Sequence, residues 1–349
     1  MKQERKLSRR RDEMVGSYEM VIYNGESLKI HVEEGLAGIS KERFIARGLH
    51  DYVNSPNDRK AYFLYGSAGT GKTTMMLQEI ERIGDYDKCL FLHCCDESTV
   101  MQMREMIDTY QGYRYVFIDE ATKVKDFTLY SSVLADHYAA EGKKIVLAGE
   151  DLSVVRNVRQ DELFDRAHYV DTTYIPFGEY NELLGRGIMD YMKCGGVLNQ
   201  EEVQEDVRIV KDDAQLLKEI VLCQAEHTAK EMGRGIIASK YESRAGDGGF
   251  DVCFADLKNR TSCIVEVWLA DKPDAEQIKR LTDKTLCQEF DKYMGAELQN
   301  KVVLYTGDSV FNPSQADDPE DKVLYMNVET FLKQPEQLMQ ALLHGPVEE

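Results

Sequence analysis

Between residues 61 and 149, short apolar runs alternate with longer stretches whose apolar positions recur every third or fourth residue. The runs are AYFLYG (61–66), CLFLHC (89–94), YRYVFID (113–119) and KKIVLAG (143–149). Helical spacing starts at 71 and covers 97–110 and 126–141. Continuous apolar strands separated by amphipathic helices predict a parallel α/β sheet covered on both faces. Upstream, YEMVIYNGESLKIH (18–31) alternates on either side of Asn24-Gly25 and predicts a small β-hairpin turning there, followed by a helix over 40–53. The pattern becomes helical over 177–195, and KCGGVLNQEE (193–202) reads as a break between domains.

The second half has a different rhythm. A long helical stretch (212–232) precedes three short strands near 235–241, 249–256 and 262–269. A helix over 274–294, strands at 301–307 and 322–328 and a last helix follow. This α-β-β-β-α-β order predicts a mixed sheet flanked by helices, in a domain smaller than the first. The expected organisation is a basic arm with a small hairpin (1–39), a P-loop domain with a short helical lid (40–198) and a second α/β domain (199–349).

Composition adds limits. The chain has 349 residues, enough for two domains, and 43% hydrophobic with 30% charged residues is ordinary for globular protein. No apolar run has the length of a membrane span, and no secretory core follows the basic N-terminus. Eight cysteines without a C-x-x-C pair suit a reducing cytoplasm, the expected location. Cys94 and Cys95, after His93, read as part of a buried strand rather than a metal site. Net charge is −19, and because the first twelve residues hold six Lys/Arg against two acids, the rest carries −23. Such a body repels nucleic acid in general and leaves only local patches as contacts for it, a protein partner or self-association stands as the other option, and there is no sign of a membrane partner. No internal repeat is present.

The chemistry concentrates after the first strand of the alternating region. Gly66-Ser67-Ala68-Gly69-Thr70-Gly71-Lys72-Thr73 is a complete G-x-x-x-x-G-K-[ST], with Thr74 next in the helix that follows. Glycines there let backbone N–H groups curl around phosphate oxygens at a positive helix end. Lys72 would reach the β- and γ-phosphates and Thr73 would ligate magnesium. The strand YVFID ends in Asp119-Glu120, which places Asp119 towards the magnesium and Glu120 where it can activate a water. An activated water favours ATP hydrolysis over phosphoryl transfer to an acceptor. The strand KIVLAG is expected beside the magnesium strand, and it runs into Glu150-Asp151, acids that would repel a γ-phosphate.

The segments YVFIDEATKVKDFTLYSSVLADHYAAEGKKIVLAGEDLS and LFDRAHYVDTTYIPFGEYNELLG resemble a bacterial AAA-like P-loop ATPase family whose members carry a C-terminal PD-(D/E)XK nuclease-like domain. L-x-D-R (163–166), P-x-x-E (176–179) and Y-x-x-x-G-G (191–196) stand in the same order as in that family, and the resemblance covers about residues 40–200. It implies that Gly66 to Thr73 bind nucleotide, that Asp119 serves magnesium and Glu120 the water, and that Arg166 supplies charge to the γ-phosphate within the chain or across a subunit contact. A pair between Arg166 and Asp161, Glu162 or Asp165 is the rival reading. Ala148 and Glu150 depart from the Ser and Thr usual in the family's sensor turn, which bears on turnover rather than binding.

The same resemblance applies to GGFDVCFADLKNRTSCIVEVWLAD (248–271), which reads as two strands around a turn between Lys258 and Asn259. Asp251 then faces Glu266, and these acids share a sheet face with Trp268, while Val252, Phe254, Val265 and Val267 share the other. Opposed carboxylates repel unless a cation lies between them. In the resembled nuclease fold such acids hold magnesium and a lysine follows two residues after the glutamate. Trp268 occupies that position, so a degenerate nuclease domain is expected, with Lys272 or Lys258 as substitute cations and a solvated acid pair as the plain alternative. The sequence thus reads as a magnesium-dependent ATP-binding protein and slow ATPase, against an ATP-dependent nuclease acting through Asp251 and Glu266 or a nucleotide-gated partner-binding switch without useful turnover.

Overall fold

The computed structural model describes residues 20–109, 112–194, 198, 213–243, 248–272, 275–307 and 323–344. The basic arm and the Gly195-Gly196 pair lie outside them. The chain divides into two compact units, Met1–Ile175 with Val197–Glu202 and Pro176–Gly196 with Val203–Glu349. The break at 175/176 precedes the one expected at 198/199. The helices Phe177–Leu184 and Ile188–Cys194, expected as a lid on the P-loop domain, group with the second unit. Glu329 gives the local reason, since its carboxylate accepts from Ile188 N–H at 2.8 Å.

The first unit holds a six-stranded sheet in the order β1-β3-β4-β5-β2-β6. Its strands are β1 (Val21–Asn24), β2 (Ala61–Tyr65), β3 (Cys89–His93), β4 (Tyr115–Asp119), β5 (Lys144–Gly149) and β6 (Ala167–Asp171). All neighbours are parallel except the edge pair of β1 and β3. Helices α1 (Gly25–Gly35), α2 (Ala46–Asn54) and α3 (Lys72–Ile83) contribute to one core, and α4 (Val100–Thr109) and α5 (Leu152–Gln160) to the other. Successive residues of β2 alternate between them, with Ala61 and Phe63 in one and Tyr62 and Leu64 in the other, and all four are buried. Burial on both sides is why these strands read as unbroken apolar runs.

The N-terminal hairpin does not form. β1 ends at Asn24 and α1 begins at Gly25. The Ser27 hydroxyl accepts from Asn24 N–H at 3.0 Å and donates to Asn24 O at 2.8 Å, closing the helix start. Leu28, Val32 and Leu36 recur every four residues and are buried, a helical stripe that the local I-H-V alternation obscured.

The second unit is built on a sheet of order β11-β10-β9-β8-β7. β7 (Ile236–Glu242), β8 (Gly249–Asp256) and β9 (Thr261–Trp268) form an antiparallel meander, and β10 (Glu297–Tyr305) and β11 (Val323–Asn327) continue parallel to β9. The helix Asp213–Met232 packs on the meander and buries Leu217, Val221, Ala225 and Ala229 along one stripe. The helix expected over 274–294 is two helices, Ala275–Thr282 and Lys284–Met294. Asp283 separates them, and its carboxylate caps Thr285 and Leu286 N–H. The β8–β9 register follows the expected turn, with Val252 opposite Val265 and Phe254 opposite Cys263. Asp256 holds that turn by accepting from Lys258 and Asn259 N–H at 2.8 and 3.1 Å.

Candidate functional site

The glycine-rich loop leaves β2 at Tyr65 and ends where α3 begins at Lys72. Gly66 N–H donates to Gly149 O at 3.2 Å, which ties the start of the loop to the end of β5. Gly66 has φ +152, and a Cβ there would lie 2.5 Å from Thr172 Oγ1 and 2.9 Å from Thr173 N. Only glycine fits so close an approach. Thr70 Oγ1 donates to Ser67 O at 2.9 Å and meets Thr172 Oγ1 at 2.8 Å. Ser67 and Ala68 form the exposed crown, with Gly69 and Gly71 half-buried beside it. The first turn of α3, Lys72 to Thr74, presents backbone N–H groups that have no acceptor within the helix, at its positive end.

Side chains converge on this loop from three strand ends. Thr73 Oγ1 donates to Asp119 Oδ2 at 3.0 Å, and Asp119 is buried at the end of β4. His93, its neighbour at the end of β3, brings Nδ1 to 3.2 Å from the same oxygen. The Asp119 carboxylate raises the imidazole pKa above its usual value against the opposing effect of burial. Glu120 adopts φ +56, a strained conformation for a residue with a side chain, typical of functional turns. Burial first, and then the charge of Glu150, raise its carboxyl pKa, while Lys123 Nζ at 3.3 Å opposes the shift. Lys72 is 6% exposed. Its ammonium donates to Gly66 O and Ser67 O, both at 2.8 Å, and to Glu150 Oε1 at 3.3 Å. Thr73 Oγ1 and the Asp119 carboxylate are hard oxygen donors side by side, which suits a magnesium ion that keeps most of its water shell.

Two further groups brace the loop, and neither carried a local sequence signal. Arg43, 5% exposed, donates from Nη1 to Thr70 O and Thr172 O at 2.9 Å each and from Nη2 to Tyr174 O at 3.1 Å. Thr172, just past β6, donates to Tyr65 O at 3.1 Å. Both act through backbone carbonyls, which no side-chain motif records. His93 was legible only as the last residue of an apolar strand.

Arg166 does not reach this site. It precedes β6, and its carbonyl accepts from Ala61 N–H at 2.9 Å, at the end of β2 opposite to the loop. Its guanidinium pairs with Asp136 at 2.8 Å and donates to Glu162 O at 3.1 Å. A contribution to the γ-phosphate of its own chain is therefore ruled out by position. The pairing expected with Asp161, Glu162 or Asp165 goes instead to Asp136, which the π-helical segment Leu134–Ala139 brings close.

In the second unit the β8–β9 register sets Asp251 and Glu266 on one face with Trp268, but that face is not solvated. Glu266 is 0% exposed, and neither of its oxygens meets a hydrogen-bond donor. Burial, and then the Asp251 charge, push its carboxyl up to about 8. Asp251 accepts from Val267 N–H at 2.9 Å and pairs with Lys218 Nζ at 2.9 Å. Lys218 also stands 5.8 Å from the centre of the Trp268 ring, and Arg280 approaches Glu266 at 3.7 Å. The cations beside the acids are thus Lys218 and Arg280, whereas Lys258 lies in the far turn and Lys272 is exposed. Among the described residues no group of three or more His, Cys, Asp or Glu forms a metal cluster, and all eight cysteines are free thiols.

Residues 58–181 match the family model described as an AAA domain. That match takes in the loop, β4 and β5 and covers about a third of the chain. No curated protein matches the chain. Among solved structures, a closed state of Hsp104 with ATPyS and FITC casein is 10% identical at a TM-score of 0.34, covering 61% of this chain and 38% of that one. An extended S. cerevisiae Hsp104–casein complex is 12% identical at 0.35, over 61% and 37%. C. elegans PCH-2 is 20% identical at 0.28, over 60% and 59%. The chain thus spans less than two thirds of each, and similarity at this level bears on neither activity nor partners. Among the described residues no helix is long and apolar enough to cross a membrane.

Proposed function

We propose that the first unit binds ATP with magnesium and hydrolyses it slowly, and that nucleotide state governs what the second unit recognises. The observation that carries the reading is the Thr73–Asp119 contact at 3.0 Å beside a complete phosphate loop. Backbone N–H groups of residues 67 to 74 cradle the phosphates, Lys72 neutralises them, and Thr73 with Asp119 would hold the metal. Magnesium held there would supply positive charge against the phosphate oxygens. Glu120, with its raised carboxyl pKa, takes a proton from the attacking water and keeps that water oriented. Lys123 holds the same carboxylate back, which accords with slow turnover.

The test compares ATP binding and phosphate release in the wild-type chain, Lys72→Ala and Glu120→Gln. Loss of binding in the first and loss of turnover with retained binding in the second is the expected result. Unchanged turnover in both variants sinks the mechanism. The free thiols, the absence of a spanning helix among the described residues and the acidic body support a cytoplasmic protein whose partner is a protein rather than nucleic acid. In this reading residues 199–349 are a degenerate PD-(D/E)XK nuclease-like domain of bacterial type, kept as a recognition scaffold.

One observation favours a second reading, cleavage of a phosphodiester at Asp251 and Glu266: a fully buried carboxylate without a hydrogen-bond donor suits a metal ion. Against it, Lys218 already neutralises Asp251. Incubating the chain with DNA and Mg²⁺ or Mn²⁺ separates the two. Cleavage that disappears in Asp251→Ala establishes the second reading, and no cleavage leaves the first.

A further inference from the structure

The P-loop lysine has three N–H donors, and all three are engaged: two by Gly66 O and Ser67 O, and the third by Glu150 Oε1 at 3.3 Å. A terminal phosphate needs one of those donors. The carboxylate that holds the third is on a side chain 36% exposed, and its backbone is pinned. Thr122 Oγ1 accepts from Glu150 N–H at 3.1 Å and from Asp151 N–H at 3.3 Å. A Cβ on Gly149 would lie 2.4 Å from Thr122 Cγ2, so this close approach requires glycine immediately before Glu150. Gly149 O in turn accepts from Gly66 N–H at the start of the phosphate loop. β5 lies between the loop strand β2 and the Asp119 strand β4, so its end faces the space between Lys72 and the acids. Asp151 caps α5 through Ser153 and Val154 N–H, which directs its own carboxylate into a helix start and leaves Glu150 as the acid that meets the lysine.

We infer that Glu150 stands in for the terminal phosphate on Lys72, so that the site holds a nucleoside diphosphate in preference to a triphosphate until this carboxylate is displaced. The inference rests on the nucleotide-binding reading above and deepens it. A β-phosphate seated in the loop meets the backbone N–H groups and takes a Lys72 donor from Gly66 O or Ser67 O, which leaves the Lys72–Glu150 pair in place. A γ-phosphate must break that pair and then sit beside a carboxylate, with Glu120 and Asp119 close at hand. Its cost falls on the triphosphate alone, which makes Glu150 a specificity-determining residue for phosphate number. Metal bound with the triphosphate offsets part of that repulsion, so discrimination is steeper in the absence of a divalent cation.

The experiment is calorimetry of ADP and ATP, each with Mg²⁺ and with EDTA, on the full chain and on Glu150→Gln and Glu150→Asp, with thermal melts to confirm folding. Wild type is expected to bind ADP more tightly than ATP. Glu150→Gln, which removes the charge at constant shape, should tighten ATP about tenfold while moving ADP less than about threefold. Glu150→Asp keeps the charge but shortens the reach to Lys72 and should fall between the two. Equal shifts for both nucleotides in Glu150→Gln overturn the inference while leaving the nucleotide site intact, as does a weakening of Mg-ATP, which would make Glu150 a metal ligand instead. Absence of binding of either nucleotide to wild type removes the site itself and the inference with it.

Discussion

Thr73 Oγ1 lies 3.0 Å from Asp119 Oδ2, although 46 residues separate them in the chain. The first turn of α3 presents the hydroxyl and the end of β4 presents the carboxylate, two strands away from the loop strand across β5. Each residue belongs to its own motif, and only the folded sheet makes them a pair.

That pair should be sensitive to charge rather than to shape. Asp119→Asn keeps the volume and can still accept from Thr73, but it removes the anion proposed to hold the metal. Calorimetric titration with Mg-ATP is expected to show binding weakened tenfold or more, about 1.4 kcal/mol or greater, with metal-free ADP nearly unaffected.

Glu120→Gln should lower steady-state phosphate release on the order of 10²-fold, the low end of what a positioned general base contributes, with Mg-ATP affinity kept within about threefold. A coupled phosphate assay with parallel titration distinguishes loss of the proton acceptor from loss of the site.

Arg43 joins the loop to the segment after β6 through the carbonyls of Thr70, Thr172 and Tyr174. Arg43→Met retains much of the apolar stem but leaves those carbonyls without the guanidinium. A destabilisation of roughly 2–4 kcal/mol is expected in urea unfolding, together with weaker nucleotide binding.

Arg166→Ala should behave differently. Its guanidinium is partly exposed and pairs with Asp136 at the far end of the sheet, so the stability cost should be at most about 1 kcal/mol. Turnover of the isolated chain at low concentration is expected to stay within about twofold of wild type, and a hundredfold loss would place this arginine at a nucleotide.

Glu266 makes the second unit pH-dependent. Burial and the Asp251 charge raise its carboxyl pKa in the folded chain from the ordinary 4.5 to about 8. Between those values the unfolded state binds fewer protons than the native state, so stability, fully present below the lower value, falls as pH rises towards the upper one. The slope for one proton is at most about 1.4 kcal/mol per pH unit. Trp268, the only tryptophan in the chain, reports this unit by fluorescence. Melts followed at that residue should shift down between pH 5 and pH 8 in wild type and flatten in Glu266→Gln.

Much of the candidate site's arrangement was legible because its motifs are local. Gly66 to Thr73 sit between an apolar strand and a helical stretch, and Asp119 and Glu120 end the next but one apolar run, so a linear pattern places each at a strand end. The β8–β9 register was legible for the same reason: alternation and a turn at Lys258-Asn259 leave one pairing that buries Val252 against Val265. The hairpin at 18–31 failed because Ile30 and Val32 alternate like a strand while Leu28, Val32 and Leu36 carry the stronger four-residue repeat. Tertiary burial chose between two periods that coexist in the same residues.

By itself, the sequence determined which side chains could hold a phosphate, a metal and a water, since glycines, a lysine, hydroxyls and acids do that chemistry by their nature. Tertiary structure alone decided which of them meet. Arg166 was sent to Asp136 by strand direction, Lys218 was brought to Asp251 by a helix packed on the meander, and Glu150 was set on Lys72 by a strand inserted between the other two. The physical reason is that ion pairs are settled by distances of a few ångströms in a low-dielectric interior, and such distances between remote residues exist only once the sheet order is fixed.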